Sequence, residues 1–284
     1  MFIYDLMSDT KIHDPVIACQ IPRDDFSIDQ CWDEYTSDEH AVWDFLYARQ
    51  LDALTNRAAP EFLEGLKTLE LSRAGIPDLK RLNPALKALT GWEIIMVPHL
   101  VPDDVFFTHL ANRRFPAGRF IRKRDQLDYL QEPDVFHDIF GHVPLLANPI
   151  FADYMQGYGQ AGLRALEIGT LKNLARIYWY TVEFGLIKCP EGLRIFGAGI
   201  VSSFGECQYA LEDKTPNRLK FNLERIMRTE YEIDKFQKSY FVIDNYTQLF
   251  DDTQQDFGPI YERLLAETHS YETNELLSDD MRLD

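Results

Sequence analysis

Apolar side chains recur at helical spacing along most of the chain. Thr36 with Glu39 three residues on reads as a capping box, and Trp43, Leu46, Tyr47, Leu51 and Leu54 then fall on one helix face. Pro60 suits the first turn of a second helix carrying Phe62, Leu63, Leu66 and Leu69, which Gly75 and Pro77 are expected to stop. Gly91 closes a shorter helix. Two more are predicted, from Pro149 to Leu166 and from Thr170 to Phe184, the latter with Leu171, Leu174, Ala175, Tyr178 and Val182 on one stripe. Trp92 to Val97 and Tyr240 to Ile243 read as short strands, but no series of strands alternates with helices as a parallel sheet requires. The predicted fold class is mainly α with short β strands (α+β).

Composition narrows this picture. At 284 residues and 45% hydrophobic content, one large catalytic domain with a substantial core is the simpler reading. A formal charge of -17, from 46 acidic against 29 basic residues, argues against nucleic acid or an anionic membrane as the main partner. The basic stretch Arg119 to Arg124 reads as a solvated face, although one of its arginines could hold a substrate carboxylate. Cys19, Cys31, Cys189 and Cys207 form no CxxC pair and are too few for a disulfide scaffold, which fits a reducing cytoplasm. Met1 to Asp9 lacks a basic leader with an apolar core, and no window approaches the ~18 apolar residues of a membrane span. The polar, acidic tail from Glu267 to Asp284 is expected to be mobile or loosely attached.

The chemistry concentrates in three residues. His137 and His142 lie five apart, about 140° around an ideal helix, so a straight helix would not aim both inward. Gly141 is expected to end or distort that helix and let His142 swing toward His137. The zinc-protease pattern differs, with histidines four apart and a glutamate after the first, where this chain has Asp138. Glu183 is the only charged residue from Ile177 to Ile187, and near the C-terminal end of a helix its carboxylate needs a compensating cation. An arginine partner for Glu183, or core roles for the histidines, are the plainer readings. Taken together, two imidazoles and one carboxylate suit non-haem iron with coordination positions left open.

Other motifs carry less. Phe196 to Gly205 lacks the full GxGxxG spacing and its strand-turn-helix setting, and no GxSxG surrounds Ser202 or Ser203. Phe106, Phe107, Trp179, Tyr180 and Phe184 could stack on an organic cofactor or aromatic substrate, with core packing as the competing role.

In His137-Asp-Ile-Phe-Gly-His142-Val-Pro, Tyr178-Trp-Tyr-Thr-Val-Glu183-Phe-Gly and Phe196-Gly-Ala-Gly-Ile-Val-Ser-Ser203-Phe-Gly-Glu206, the chain resembles the pterin-dependent aromatic amino acid hydroxylases, over roughly Pro15 to Leu265. The resemblance implies a single, predominantly helical catalytic domain that holds Fe(II) through His137, His142 and Glu183 and uses tetrahydrobiopterin or a related tetrahydropterin. Phe106 then stacks on the pterin ring, Val101 lends backbone contacts, and Tyr178 stands beside the iron. Asp104 stands where animal members carry an arginine, so recognition of the cofactor side chain does not transfer whole. Arg122 matches the partner of the substrate carboxylate, gripping it bidentately, Ser202 a hydroxyl that assists it, and Trp179 and Phe184 the walls of the ring pocket. Leu130 stands where animal members have a threonine, which removes one hydrogen bond to that carboxylate.

The expected reaction is hydroxylation of L-phenylalanine to L-tyrosine with O2, with tyrosine or tryptophan hydroxylation the near alternative and a zinc hydrolase the remote one. The expected layout is an extension over residues 1–14, a catalytic domain over 15–265 and an acidic tail over 266–284. Counterparts of the regulatory domain and tetramer-forming helix of animal relatives are not expected. The expectation is a constitutively active, cytoplasmic monomer acting on small molecules.

Overall fold

The computed structural model describes residues 14–128 and 132–283. After a short helix α1 (Pro15–Ala18), the predicted capping box is present: the Thr36 hydroxyl accepts the Glu39 N–H while the Glu39 carboxylate accepts the Thr36 N–H. It opens α2 (Ser37–Ala53), which buries Val42, Trp43 and Leu46, with Leu54 buried at its C-terminal end. Leu51, placed on that stripe by spacing, faces solvent instead.

Pro60 opens α3 (Pro60–Thr68), whose Phe62 and Leu66 are buried while Leu63 points outward. This helix ends well before Gly75, which therefore does not stop it. Gly75 sits at φ +82 in a later turn, donating its N–H to the Asp44 carboxylate. Gly91 at φ +78 closes α4 (Leu79–Thr90) as expected. Strands β1 (Glu93–Val97) and β2 (Arg114–Gly118) pair in parallel around helix α5 (Asp103–Ala111), a single β-α-β unit.

From Phe136 to His142 the chain winds as a π-turn and continues into α6 (Val143–Leu146). Helix α7 (Pro149–Ile168) follows, capped by Asn148 and Gly169, then α8 (Leu171–Tyr178) and a second π-turn over Trp179–Glu183. The single helix expected from Thr170 to Phe184 is thus α-helical only in its first half. Beyond it come β3 (Leu186–Cys189), β4 (Gly192–Ile195), α9 (Ala198–Val201), α10 (Phe204–Glu212), β5 (Asn217–Lys220), α11 (Leu223–Arg228), β6 (Ser239–Ile243), α12 (Tyr246–Gln254) and α13 (Gly258–Ala266). The strands form one sheet in the order β4-β3-β6-β5, antiparallel only between β3 and β4. Both predicted strands are present, and the fold is mainly helical. Trp43, Phe62, Phe136 and Phe140 fill the interior behind the first π-turn, Phe140 stacking on Phe136 at 4.7 Å between ring centroids.

The acidic tail is docked, contrary to expectation. Residues near Tyr271 bridge to Thr229, and Arg282 bridges to Leu219 on β5, the outer strand of the sheet. Arg225 of α11 holds the tail from inside: it pairs with Asp280 at 3.1 Å, both side chains buried, donates to the Glu275 carbonyl at 2.6 Å, and lies 4.6 Å from the Tyr271 ring centroid. Composition registered the tail's acidity. The arginine that holds it, Arg225, lies some fifty positions earlier in the chain. No helix among the described residues is long and apolar enough to cross a membrane.

Candidate metal centre

The first π-turn solves the problem posed by the five-residue spacing. A turn closed from residue i to i+5 is wider than an α-turn, so residues five apart return to nearly the same side. His137 Nε2 and His142 Nε2 consequently come within 3.2 Å. Gly141 serves a different purpose from the one expected: a Cβ there would meet the Cβ and carbonyl of Ala198 at 3.1 Å, so its small size admits α9 against the turn.

The second π-turn delivers the third donor. The Phe184 N–H reaches back five residues to the Trp179 carbonyl at 2.8 Å, and Glu183 at the end of that turn faces the histidines. Its Oε1 lies 3.2 Å from His142 Nε2 and its Oε2 3.6 Å from His137 Nε2. Gly197 permits this approach, since a Cβ on it would sit 2.4 Å from the Glu183 carbonyl oxygen. The glycine-rich segment therefore packs under the acid; its glycines answer to that packing. Glu183 has these imidazoles as partners in place of an arginine.

The three donor atoms lie within 4.8 Å of one another. Bonds of about 2.1 Å to one ion put neighbouring donors ~3 Å apart, close to the spacings found here. The tautomer is also suitable. Ser202 donates its hydroxyl hydrogen to the Ala198 carbonyl at 2.7 Å, so its oxygen is left to accept from His137 Nδ1–H at 2.9 Å. That fixes the lone pair of His137 on Nε2, toward the other two donors. Burial pushes the His137 imidazole down to about 4, against the pull of Glu183, which keeps it neutral and able to bind a metal. Burial alone would raise the Glu183 carboxyl, but His142 and His137 hold it below the usual carboxylate range. Two imidazoles and a carboxylate converging from one side fit a ferrous ion.

These donors line a cavity with Phe106, Val101 and Tyr178, together with Phe115 and Asp138. Phe106 stands edge-on to Tyr178, ring centroids 5.9 Å apart. Burial raises the Tyr178 phenol far above its ordinary value, so it stays protonated. The remaining predicted residues that the structure describes do not line this cavity. Trp179 and Phe184 pack on each other at 4.7 Å, with Tyr231 stacked on Trp179 at 4.3 Å. Arg122 is buried and already gripped: its Nε and Nη2 each donate to Asp134 at 2.8 Å. The fork expected to clasp a substrate carboxylate is closed on that side, and Nη1 donates to the Leu127 carbonyl at 3.4 Å, which leaves one N–H on each Nη. Ser202 has His137 and Ala198 as its partners, and Leu130 lies outside the described residues.

Two acids escaped the sequence reading. Asp134 accepts from the backbone N–H groups of Arg122 and His137 besides the guanidinium, tying the arginine to the first π-turn. Asp138, considered only as evidence against a zinc protease, is buried beside His137 and accepts the Gly118 N–H at 2.7 Å, and burial pushes its carboxyl up to about 7. Their place next to a candidate ligand was the available signal.

Comparisons with known proteins agree with this geometry. The family model described as biopterin-dependent aromatic amino acid hydroxylase matches residues 28–274. A phenylalanine-4-hydroxylase of Caulobacter vibrioides is 64% identical over 244 residues, 86% of this chain and 83% of that protein. A variant of phenylalanine hydroxylase from Chromobacterium violaceum superposes with a TM-score of 0.93 at 52% identity, covering 96% of this chain and 99% of that one. The iron- and phenylalanine-bound form from that organism gives 0.90 at 50% identity, covering 96% of this chain and 100% of that one.

Proposed function

Because the chain belongs to the biopterin-dependent aromatic amino acid hydroxylases, we propose the following division of labour among its residues for hydroxylating L-phenylalanine to L-tyrosine with O2. When bound, Fe(II) and a tetrahydropterin supply the O2 activation and the reducing electrons that no side chain here can provide.

His137, His142 and Glu183 would hold the metal, two imidazoles and one carboxylate being a donor set suited to Fe(II). Ser202 keeps His137 in the ligating tautomer. Phe106 and Val101 form the pterin wall of the cavity, and Tyr178 keeps its proton and packs beside the metal. Arg122, preset by Asp134, offers its remaining N–H groups to the substrate carboxylate, while Trp179 and Phe184 bound the space for the ring. The mostly apolar lining of the cavity limits loss of oxidising equivalents to water.

The convergence of three donor atoms in the wall of one cavity carries this reading. Product analysis after incubation with each of the three aromatic amino acids, Fe(II) and a tetrahydropterin tests it. Tyrosine from phenylalanine is the expected main product, zinc should not replace iron, and preferred formation of hydroxytryptophan or dihydroxyphenylalanine would overturn the substrate assignment.

Residues 15–265 form the catalytic unit on this reading, flanked by an extension and the tail of 266–284. The enzyme works as a cytoplasmic monomer without nucleic-acid partners, in keeping with a charge of -17 and with cysteines that are all free. A tetramer mass that does not change with concentration would contradict it.

A further inference from the structure

We propose that Gln237 and Glu206 are positioning residues, acting together to hold the indole of Trp179 and through it the π-turn that ends in Glu183. The substrate side of this inference rests on the reading of Trp179 as a wall of the ring pocket.

Trp179 is hydrogen-bonded at both its backbone carbonyl and its indole. Its carbonyl closes the second π-turn by accepting the Phe184 N–H, and its indole Nε1–H donates to Gln237 Oε1 at 2.9 Å, both side chains being buried. An indole N–H can only donate, so the Gln237 amide must present its oxygen. The other end of that amide agrees: Nε2 donates to the carbonyls of Glu232 at 3.0 Å and Lys235 at 3.2 Å. Gln237 is therefore oriented from both ends. Its own backbone N–H donates to Glu206 Oε1 at 3.1 Å, and Tyr240 donates its hydroxyl to the same oxygen at 2.7 Å. Glu206 on α10 thus ties down both Tyr240 of β6 and the loop just before that strand, from which Gln237 reaches the indole.

Burying a glutamine and a glutamate costs free energy that apolar side chains of similar volume would avoid. The arrangement makes physical sense at this place. Turns closed from i to i+5 depend on surrounding contacts to persist, and a donor atom must be fixed to a fraction of an ångström to serve a metal. The stacked Tyr231 restrains the indole plane but leaves it free to slide, and the bond to Gln237 removes that freedom.

The test uses the full chain with Q237M, which removes both polar ends without branching, and with E206Q, which keeps an oxygen for both donors. In the apo-protein, the Trp179 indole N–H, assigned with W179F, should lose its hydrogen-exchange protection in Q237M and keep it in E206Q. In the iron-loaded enzyme, Q237M should raise KM for phenylalanine about tenfold, the equivalent of one buried hydrogen bond. It should also lower the tyrosine formed per pterin oxidised, with KM for the tetrahydropterin unchanged, and E206Q should behave as the wild type. If Q237M does not fold, W179F breaks the same bond from its other end and should shift the same two parameters. An unchanged KM for phenylalanine and unchanged coupling would overturn the proposal, as would parallel losses in both KM values, which mark a general structural role. Loss of indole protection in Q237M is read on the apo-protein, so it stands or falls separately from the hydroxylase reading.

Discussion

Asp134 grips Arg122 with both carboxylate oxygens, 2.8 Å from Nη2 and 2.8 Å from Nε, and also accepts the backbone N–H of His137 at 3.0 Å. One buried acid thus couples the arginine assigned to the substrate carboxylate to the turn that presents the first imidazole. Burial works to raise the Asp134 carboxyl, yet Arg122 holds it below the ordinary range, so it is a carboxylate throughout the working range of pH.

Asp134→Asn should leave the Arg122 charge buried without its partner. Breaking such a pair costs roughly 3–5 kcal/mol, so thermal unfolding should begin at a clearly lower temperature. KM for phenylalanine should rise more than KM for the tetrahydropterin, because Arg122 loses its aim. A variant as stable as the wild type, with unaltered KM for phenylalanine, would remove Asp134 from this role.

Ser202→Ala deprives His137 Nδ1–H of its acceptor without touching a metal ligand. Loss of such an outer hydrogen bond typically weakens metal affinity by about 10–100-fold. Iron titration of the apo-protein should show that weakening. Activity at saturating iron should recover most of the wild-type value.

Glu206 sets a pH dependence of stability. Burial, opposed by the hydrogen bonds from Tyr240 and Gln237, pushes its carboxyl up to about 7 in the folded protein, against an ordinary value of 4.5. The folded state therefore favours the protonated acid. This contribution is intact below about pH 4.5, shrinks as the unfolded chain ionises above that, and levels off once the folded group ionises near pH 7. Glu206→Gln does not ionise, so its stability relative to the wild type should rise between pH 4.5 and pH 7, by ~3 kcal/mol at most. Chemical denaturation at several pH values in that window checks it, and a flat difference would count against the raised carboxyl.

Asp280→Ala should release the tail. It strands Arg225 beneath Tyr271 and the Glu275 carbonyl, at a cost of about 3 kcal/mol. Detachment also uncovers the outer edge of β5, which invites pairing with another molecule. Earlier proteolysis within residues 267–283 and a tendency to self-associate on warming are the expected signs.

The sequence was most legible where local chemistry decides. Thr36 with Glu39 and Gly91 mark helix ends through bonds made within a few residues, and each does so here. The candidate ligand set was legible too, because a lone acid in an apolar run must find a partner. What escaped was set by contacts between distant segments. The wide turns depend on neighbours such as α9 packing against Gly141. Arg122 finds Asp134 twelve positions on, and the tail meets Arg225 some fifty positions back. Residue type identified His137, His142 and Glu183 but could not say how the backbone would aim them.

Two of the three donors owe their aim to a backbone wound one residue too loosely. Adding a single codon between those for His137 and His142 would give that already wide coil one residue too many and turn everything beyond the insertion by roughly 100° relative to His137. His142 would then face a neighbouring wall, with every side chain chemistry still encoded. The same holds for one codon gained between Trp179 and Glu183. Mutational scans that only exchange amino acids would miss this vulnerability, whereas a library of one-residue insertions would reveal it as two narrow zones where iron is lost.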